Sequence, residues 1–214
     1  MNVVLSHLTD LLAGFGVTLQ LTAIGFLGAL VLGTVLAVCR VVPIAPLRVL
    51  GTVYVEFFRN IPLLSLLILV VFGLPDVGVT YSLFTSAALC LVLSGASFAC
   101  EAIRGGINSV PIGQAEAARA IGLTFRQSLG SVILPQALRT MVQPLTNVFI
   151  GVALSSSLAA AIGVAELTNR TQQLTLRYAE AVLFFLASGA FYVVLALAGA
   201  GAGGWLERKV AIKR

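Results

Sequence analysis

Three stretches of the sequence carry no lysine, arginine, aspartate or glutamate: residues 23–38, 61–74 and 181–204. A bilayer core about 30 Å thick needs roughly 20 predominantly apolar residues in a helix, and somewhat fewer where polar ends reach the interface. Charged residues make up 10% of the whole chain, whereas about 25% is usual in soluble domains. The sequence therefore predicts an integral membrane protein.

Five such helices can be drawn, which predicts an all-α membrane protein with a single transmembrane domain over residues 1–214. The predicted spans cover residues 11–38, 49–74, 81–102, 140–164 and 181–206. The first, second and fourth are longer than a bilayer needs, so we expect tilt, bends or helix that continues beyond the lipid. Within the second, Asn60-Ile61-Pro62 can break the helix, which is tolerated only beside protein or a water-filled path.

The basic residues divide unevenly between the two sides of this arrangement. One side keeps only Arg170 and Arg177. The other side holds Arg40, Arg48, Arg104, Arg119, Arg126, Arg139, Arg208, Lys209, Lys213 and Arg214. Because lysine and arginine collect on the cytoplasmic side of a membrane, the N-terminus is predicted outside and the C-terminus in the cytoplasm. This asymmetry accounts for the net charge of +5 without nucleic acid as a partner.

Residues 113–138 form a polar stretch on the predicted cytoplasmic side. An alanine-rich helix is expected over residues 114–121, and Gly122 ends it. Thr124 can cap a second helix, before Pro135 marks a turn or kink. The first helix has a small apolar face that consists of Ala117, Ala118 and Ile121. This face suits either a groove on another protein or the membrane surface, and the residue pattern alone favours neither.

The same stretch resembles the EAA signature of ABC importer permeases, whose pattern is E-A-A-x3-G-x9-I-x-L-P. Here Glu116-Ala117-Ala118 is followed at the family spacing by Gly122 and then by VILP, with valine for isoleucine at Val132 as the one departure. Longer strings are similar to polar amino acid permeases of the histidine, glutamine, arginine and glutamate type. They are EFFRNIPLL (56–64), CEAIRGGINSVPIGQAEAARAIGL (100–123), LPQALR (134–139) and IGVAEL (162–167). The resemblance covers residues 10–206.

The resemblance implies the fold of a type I ABC importer transmembrane domain with a cytoplasmic coupling loop at residues 105–139. It implies that the EAA helix docks on a cytoplasmic ATPase dimer and couples ATP use to alternating access of the membrane path. The residues assigned to coupling are Glu116, Ala117, Ala118, Arg119, Gly122 and Pro135. The implied cargo is a polar amino acid, such as glutamate, glutamine or a basic amino acid, delivered by an extracytoplasmic binding protein. The implied location is the plasma (inner) membrane of a bacterium.

The chain has no phosphate-binding loop of its own. Such a loop reads G-x-x-x-x-G-K-[ST], and the only lysines, Lys209 and Lys213, stand near the end of the chain outside any such motif. We therefore expect no enzymatic activity and no bound cofactor in this chain, with ATP and Mg²⁺ used by a partner ATPase. The three cysteines have no metal-ligand spacing and are interpreted as packing residues, so no metal site is predicted.

Polar residues in the predicted spans are candidates for a translocation path or its gate. Glu56 with Arg59, and Glu101 with Arg104, are three residues apart, so each pair can meet on one helix face. Such pairs can be structural or can line the inner mouth of a path. Polar residues of the fourth span can contact a hydrophilic substrate or bond to other helices. The candidate path residues are Glu56, Arg59, Asn60, Pro62, Glu101, Asn147, Ser155 and Ser156.

Many permeases of this family carry Lys-Asp where this chain has Leu154 and Ser155. The difference indicates that this subunit contributes weakly to the substrate site and works beside a second, non-identical permease chain.

Other classes of membrane protein fit the sequence less well. An intramembrane serine protease needs a histidine base, and the single histidine, His7, lies before the first span. A secondary transporter usually shows internal repeats and commonly a charged midplane site, and the sequence shows neither. A secondary transporter and a non-transporting structural subunit are the alternatives to an importer permease.

The predicted topology can be tested with reporter fusions. Because the basic residues concentrate on one side, a reporter fused after Ser109 or after Lys213 should be active only in the cytoplasm. A reporter at either position that is active only outside the membrane would contradict this orientation.

Overall fold

The computed structural model describes residues 2–210, most of which are helical. In chain order the α-helices of this part are α1 (Asn2–Ser6), α2 (Leu8–Val41), α3 (Ala45–Asn60), α4 (Leu63–Ile68), α5 (Leu83–Asn108), α6 (Ile112–Ala120), α7 (Phe125–Gln127), α8 (Leu134–Ser155), α9 (Leu167–Tyr178) and α10 (Ala181–Val210). Between them lie π-helical turns at Leu69–Gly73 and Ser128–Ile133 and 3₁₀ helices at Pro75–Val77 and Ser156–Ile162.

Four helical stretches are long and apolar enough to cross a membrane: Leu8–Val41, Leu83–Asn108, Phe125–Ile162 and Ala181–Val210. In addition, Ala45–Asn60 and Leu63–Val77 form a pair that is bent by 101°. The predicted all-α membrane fold is confirmed, and the predicted five spans are reached if the bent pair counts as one. The second predicted span, residues 49–74, corresponds to this bent pair, and its helix breaks in the middle as the sequence allows.

The break lies at Asn60-Ile61-Pro62, where the sequence permits one. Ile61 has an extended backbone with φ −80° and ψ 129°, because the residue before a proline is pushed out of the α region. Pro62 then caps α4. Near the end of α3, Asn60 Nδ2 donates to the carbonyl oxygen of Glu56 at 2.6 Å, as a second donor beside the helical N–H of Asn60.

Helix α5 packs between α2 and α8, and small residues set the spacing. A Cβ added at Gly33 of α2 would lie 2.7 Å from Cβ of Ala99 and 3.0 Å from the backbone nitrogen of Cys100. A Cβ added at Gly95 of α5 would lie 2.9 Å from Cβ of Ala29. Small residues let membrane helices approach closely, so these glycines hold the centre of the bundle together.

Helix α9 lies outside the membrane-spanning stretches and is not predicted from the sequence. Its residues, LTNRTQQLTLRY, contain no apolar run, so a search for spans passes over them. The side chain of Glu166 caps its start by accepting from the backbone N–H groups of Thr168 at 2.9 Å and Asn169 at 2.8 Å. It ends at Ala179, which has a left-handed backbone with φ 58°. The helix packs against α2 and α10.

Candidate functional site

A cavity of about 500 Å³ lies between α4, α5 and α8. Its lining consists of Leu63 from α4, Leu91, Ser94, Gly95, Phe98 and Ala102 from α5, and Pro144, Asn147, Val148, Gly151, Val152 and Ser155 from α8. Spacings of three and four residues place these side chains along one face of each helix. Clefts between the helices of a bundle are common sites for small ligands, so this cavity is the candidate site.

Three polar side chains line this otherwise apolar cavity: Ser94, Asn147 and Ser155. Asn147 and Ser155 are among the path residues that the sequence predicts, and they lie about 12 Å apart along α8. Ser94 is not predicted. The sequence feature that could have identified Ser94 is its four-residue spacing to Phe98 on α5, which places both residues on the face that lines the cavity.

Ser156 does not join this lining. The residue is 0% exposed, and its hydroxyl donates to the carbonyl oxygen of Ala153 at 2.7 Å. Its inclusion among the candidate path residues is therefore corrected, because its hydroxyl bonds to its own helix.

Glu56 and Arg59 do not form the predicted ion pair in the described part of the chain. The guanidinium carbon of Arg59 lies 5.8 Å from the centre of the Phe98 ring, which is within cation–π range. Glu56 Oε2 instead lies 3.5 Å from Nδ2 of Asn60. These three residues of α3, and Pro62 after them, are exposed. Because Phe98 lines the cavity, Arg59 lies at its border.

Glu101 connects helices at the same end of the bundle. Its carboxylate pairs with Arg104 at 3.3 Å, as the spacing predicts, and also with Arg40 of α2. The Arg40 side chain is 10% exposed, and its stem lies against Gly51 of α3, where an added Cβ would be 2.8 Å from Cγ of Arg40. A charge removed from water needs a partner. The contacts of Glu101 support its structural role as the counter-ion that joins α2 to α5.

The polar segment 105–139 contains two helices joined through a left-handed glycine. Helix α6 ends where Gly122 takes a φ of +82°, which is costly for residues with a Cβ. Thr124 and Gln127 form a capping box, with the Thr124 N–H donating to Oε1 of Gln127 at 2.9 Å. Pro135 lies in the first turn of α8, where proline is tolerated. The predicted turn at Pro135 is replaced by the π-helical turn just before it.

Helix α6 has one exposed face and one face that packs onto the chain. Ile112 and Ile121 are 75% and 76% exposed, whereas Ala118 is 3% exposed, because α6 packs against the π-helical turn before α8. The expectation that Ala118 belongs to an outward apolar face is therefore wrong. The other residues assigned to coupling are exposed, namely Glu116, Ala117, Arg119, Gly122 and Pro135.

The chemistry of the site suits recognition and passage of a molecule. The polar groups of the cavity are two hydroxyls and one amide, which hydrogen-bond a polar molecule but do not activate a nucleophile without a base. Within residues 2–210, no group of three or more His, Cys, Asp or Glu side chains is placed to hold a metal ion. Helix α8 lines the cavity, and the turn that leads into α8 packs against the exposed helix α6. This arrangement supports movement of a polar solute across the membrane.

Glu166 forms a second polar junction, which the sequence analysis names only as part of the string IGVAEL (162–167). The residue is fully buried, and its Oε2 accepts from the Tyr192 hydroxyl of α10 at 2.8 Å and from Oγ1 of Thr18 of α2 at 3.4 Å. Burial raises the pKa of this carboxyl, although the hydrogen bonds that it accepts act in the opposite direction. The carboxyl therefore ties the start of α9 to α2 and α10.

The chain matches a known family over most of its length. The family model described as "Binding-protein-dependent transport system inner membrane component" matches residues 29–212. A Bacillus subtilis (strain 168) protein named "Probable glutamine ABC transporter permease protein GlnM" is 36% identical over 92% of this chain and 91% of its own length. A Corynebacterium efficiens protein named "Glutamate transport system permease protein GluC" is 35% identical over 96% of each chain.

Two solved structures have similar folds. The crystal structure of an amino acid ABC transporter with histidines superposes with a TM-score of 0.90 at 28% identity, over 96% of both chains. An inward-facing structure of the MetNI methionine ABC transporter superposes with a TM-score of 0.78 at 26% identity, over 97% of this chain and 99% of the other.

The Glu166 junction predicts a particular dependence of stability on pH. Because the folded state holds the Glu166 proton to higher pH than the unfolded chain does, its contribution is complete below the ordinary glutamate pKa. It is lost as pH rises through the raised pKa. Glu166→Gln should remove this slope, and it should cost about 1 kcal/mol because an amide NH₂ replaces one cap acceptor. The difference in melting temperature between wild type and variant in detergent should be largest at low pH.

The matched control is Glu180→Gln, because Glu180 is exposed and immediately precedes α10. This variant should keep the pH slope of the wild type. A wild-type slope that survives in Glu166→Gln would show that another group titrates.

Proposed function

Because this chain belongs to the family of binding-protein-dependent transport system inner membrane components and is an ABC importer permease for amino acids, we propose how its residues carry that function. The chain is a multi-pass protein of the inner (plasma) membrane. Family membership sets aside a secondary transporter and a non-transporting structural subunit. The family works in general with an ATPase and a binding protein.

The cavity between α4, α5 and α8 is proposed to form part of the path through the membrane. A zwitterionic amino acid needs a polar or wet lining throughout, because its charges are costly in hydrocarbon. This cavity supplies only Ser94, Asn147 and Ser155 as polar side chains. Arg59 borders the cavity through Phe98, and Glu56 and Asn60 are exposed on the same helix. The cavity is thus one half of a path that a second permease chain completes.

The cargo is proposed to be a polar amino acid, such as glutamate, glutamine or a basic amino acid. The relatives named for glutamine and glutamate support this class. A hydroxyl and a carboxamide, from Ser155 and Asn147, can bond to the ammonium or carboxylate of any amino acid. They therefore suit a subunit that assists passage while selectivity is set by the binding protein and the partner chain.

The exposed face of α6 is proposed to dock on the ATPase. Ile112 and Ile121 supply apolar contact, and Glu116 and Arg119 supply charge between them. ATP and Mg²⁺ would be bound by that partner, since the sequence of this chain has no P-loop. Helix α6 packs against the turn that leads into α8, so a displacement of α6 acts on the helix that lines the cavity.

The second permease is proposed to differ from this chain. The residues at Leu154 and Ser155 provide one hydroxyl and no charge, where related permeases carry Lys-Asp. Two copies of such a lining would hold a charged cargo poorly, because its charges would lack partners. An unequal partner supplies what this half lacks.

The coupling role of Gly122 can be tested against a matched glycine. Gly122→Val should abolish substrate-stimulated ATP hydrolysis in the reconstituted transporter, since a left-handed backbone costs an ordinary residue about 1–2 kcal/mol or more and α6 would be displaced. Gly189→Val is the control, because a Cβ at Gly189 also meets open space, its φ is not positive, and it lies in α10 outside the coupling segment. Normal coupling in Gly122→Val, with the protein inserted, would contradict the docking role.

The path assignment predicts different effects for two serines on the same stretch of helix. Ser155→Ala and Asn147→Ala should each reduce uptake into proteoliposomes up to about fivefold, as expected for one lost hydrogen bond of about 1 kcal/mol. Ser157→Ala should leave uptake unchanged, because Ser157 bonds to the carbonyl oxygen of Leu154 and does not line the cavity. Equal losses at both serines would contradict the path.

The unequal partner can be tested by reconstitution. Proteoliposomes that contain this chain, the ATPase and the binding protein should show no ATP-driven amino acid uptake, and adding the second permease should restore it. The reason is that one weakly polar half-path leaves the cargo charges unpaired. Full uptake without the second permease would refute the heterodimer while leaving the importer function in place.

A further inference from the structure

A second cavity, of about 570 Å³, lies on the opposite face of α8 from the candidate path. Its floor is α8 and its walls are α2 and α10. The lining consists of Phe26, Leu30, Leu138, Met141, Val142, Leu145, Thr146, Phe149, Gly199, Ala202, Gly203, Trp205, Leu206 and Val210. Thr146 is the one residue of this set with a side-chain hydroxyl, and it donates to the carbonyl oxygen of Val142 at 2.8 Å. The groove therefore offers an occupant only apolar contact.

The glycines of α10 shape this groove. A Cβ added at Gly199 would collide with the Phe149 ring, and one added at Gly203 would collide with the Thr146 side chain. Helix α10 can therefore lie close against α8. At the closed end, Phe26 of α2 meets Phe149 edge-on with ring centres 5.3 Å apart.

The length of the groove matches one leaflet of a bilayer. From Leu138 to Phe149 along α8, and from Gly199 to Val210 along α10, the lining covers eleven residue steps, or about 16 Å. The hydrocarbon core of a membrane is about 30 Å thick. The groove thus runs from the middle of the membrane to one of its surfaces, which is the extent of a single acyl chain.

Positive charge is concentrated at the open end of the groove. Lys209 follows Ala202 by two helical turns, and Arg139 precedes Thr146 by two turns, so each extends a lining face toward the surface. The Lys209 ammonium lies 5.0 Å from the centre of the Trp205 ring. Arg139 has a buried Nε without a hydrogen-bond partner among the described residues. The acidic residue here, Glu207, accepts from Nε2 of Gln143 at 2.8 Å.

We propose that this groove binds one acyl chain of an anionic phospholipid, with the headgroup phosphate held by Lys209 and Arg139. Apolar walls exclude a polar ligand, and the leaflet-long shape fits a lipid tail. The basic groups at the open end select a negative headgroup, since each lysine or arginine near the surface strengthens binding to anionic lipid about fivefold. The lipid would support α8 from the side opposite the transport path, so this site does not depend on the proposed cargo.

The test uses Trp205, the single tryptophan of the chain, as the reporter. The full chain in detergent is titrated with phosphatidylglycerol or with phosphatidylcholine, each carrying brominated acyl chains that quench tryptophan fluorescence on contact. Phosphatidylglycerol should reach half-maximal quenching at about 25-fold lower concentration than phosphatidylcholine, because Lys209 and Arg139 contribute about fivefold each. Equal concentrations for the two lipids, or no saturable quenching by either, would overturn the proposal.

Two pairs of variants separate the headgroup contact from the acyl-chain contact. Lys209→Gln should raise the phosphatidylglycerol concentration toward that of phosphatidylcholine, whereas Arg208→Gln, on the opposite side of α10 from Ala202 and Lys209, should raise it less. Ala202→Phe should fill the groove and weaken quenching by both lipids. Ala200→Phe adds the same ring to α10 outside the lining and should leave quenching unchanged. Unaltered quenching in Ala202→Phe would overturn the proposed site.

A tryptophan placed outside the groove serves as the control for quenching by lipids that merely surround the protein. In the double variant Trp205→Phe/Leu197→Trp, the tryptophan stands at an exposed position outside the groove. It should be quenched equally by both lipids. A preference for phosphatidylglycerol as strong as that of Trp205 would mean that the selectivity belongs to the whole surface, and would refute a site in the groove.

Discussion

Helices in a bilayer gain little by hiding apolar surface from one another, because lipid is as apolar as their side chains. This fold therefore depends on close approach at glycines such as Gly33 and Gly199, and on two carboxyl groups, the partly exposed Glu101 and the buried Glu166. Glu101 joins α2 to α5 through Arg40, and Glu166 joins α2 to α9 and α10 through Thr18 and Tyr192. The two α2 contacts, Thr18 and Arg40, are about 33 Å apart along the helix. The bundle is thus pinned near both borders of the hydrocarbon core.

The bend between α3 and α4 creates the room that the candidate path occupies. A straight helix would continue along the bundle, whereas after the 101° bend α4 starts at Leu63, which lines the cavity. Such a break leaves carbonyl groups without helical partners, and hydrocarbon offers none. The carboxamide of Asn60 donates to the carbonyl oxygen of Glu56, which already has its helical partner, so the freed carbonyls at the end of α3 stay available. An interrupted helix is consistent with a position beside a polar path instead of against lipid.

The sequence predicts the membrane class, the helix positions and the polar segment, because long apolar runs and capping residues are local signals. Two of its candidate path residues, Asn147 and Ser155, line the cavity. It misses α9 because a polar helix lacks the apolar signal of a span. It assigns Ala118 and Ser156 to exposed roles, and both are buried, because spacing along a helix does not reveal which face packs on the same chain. The partners of Glu166, far apart in sequence, emerge only in three dimensions.

The unbroken helical stretch from Phe125 to Ile162 has a mechanical consequence. Its 38 residues include the π-helical turn at Ser128–Ile133, the 3₁₀ helix at Ser156–Ile162 and Pro144 inside α8. At the α-helical rise the stretch is about 57 Å long, and it passes between two cavities. For a lever of this length, a tilt of about 10° around its middle moves each end by about 5 Å. A tilt that widens the cavity of the candidate path then narrows the groove lined by α2, α8 and α10. A molecule bound in the groove between α2, α8 and α10 would therefore resist the tilt of α8 that opens the path.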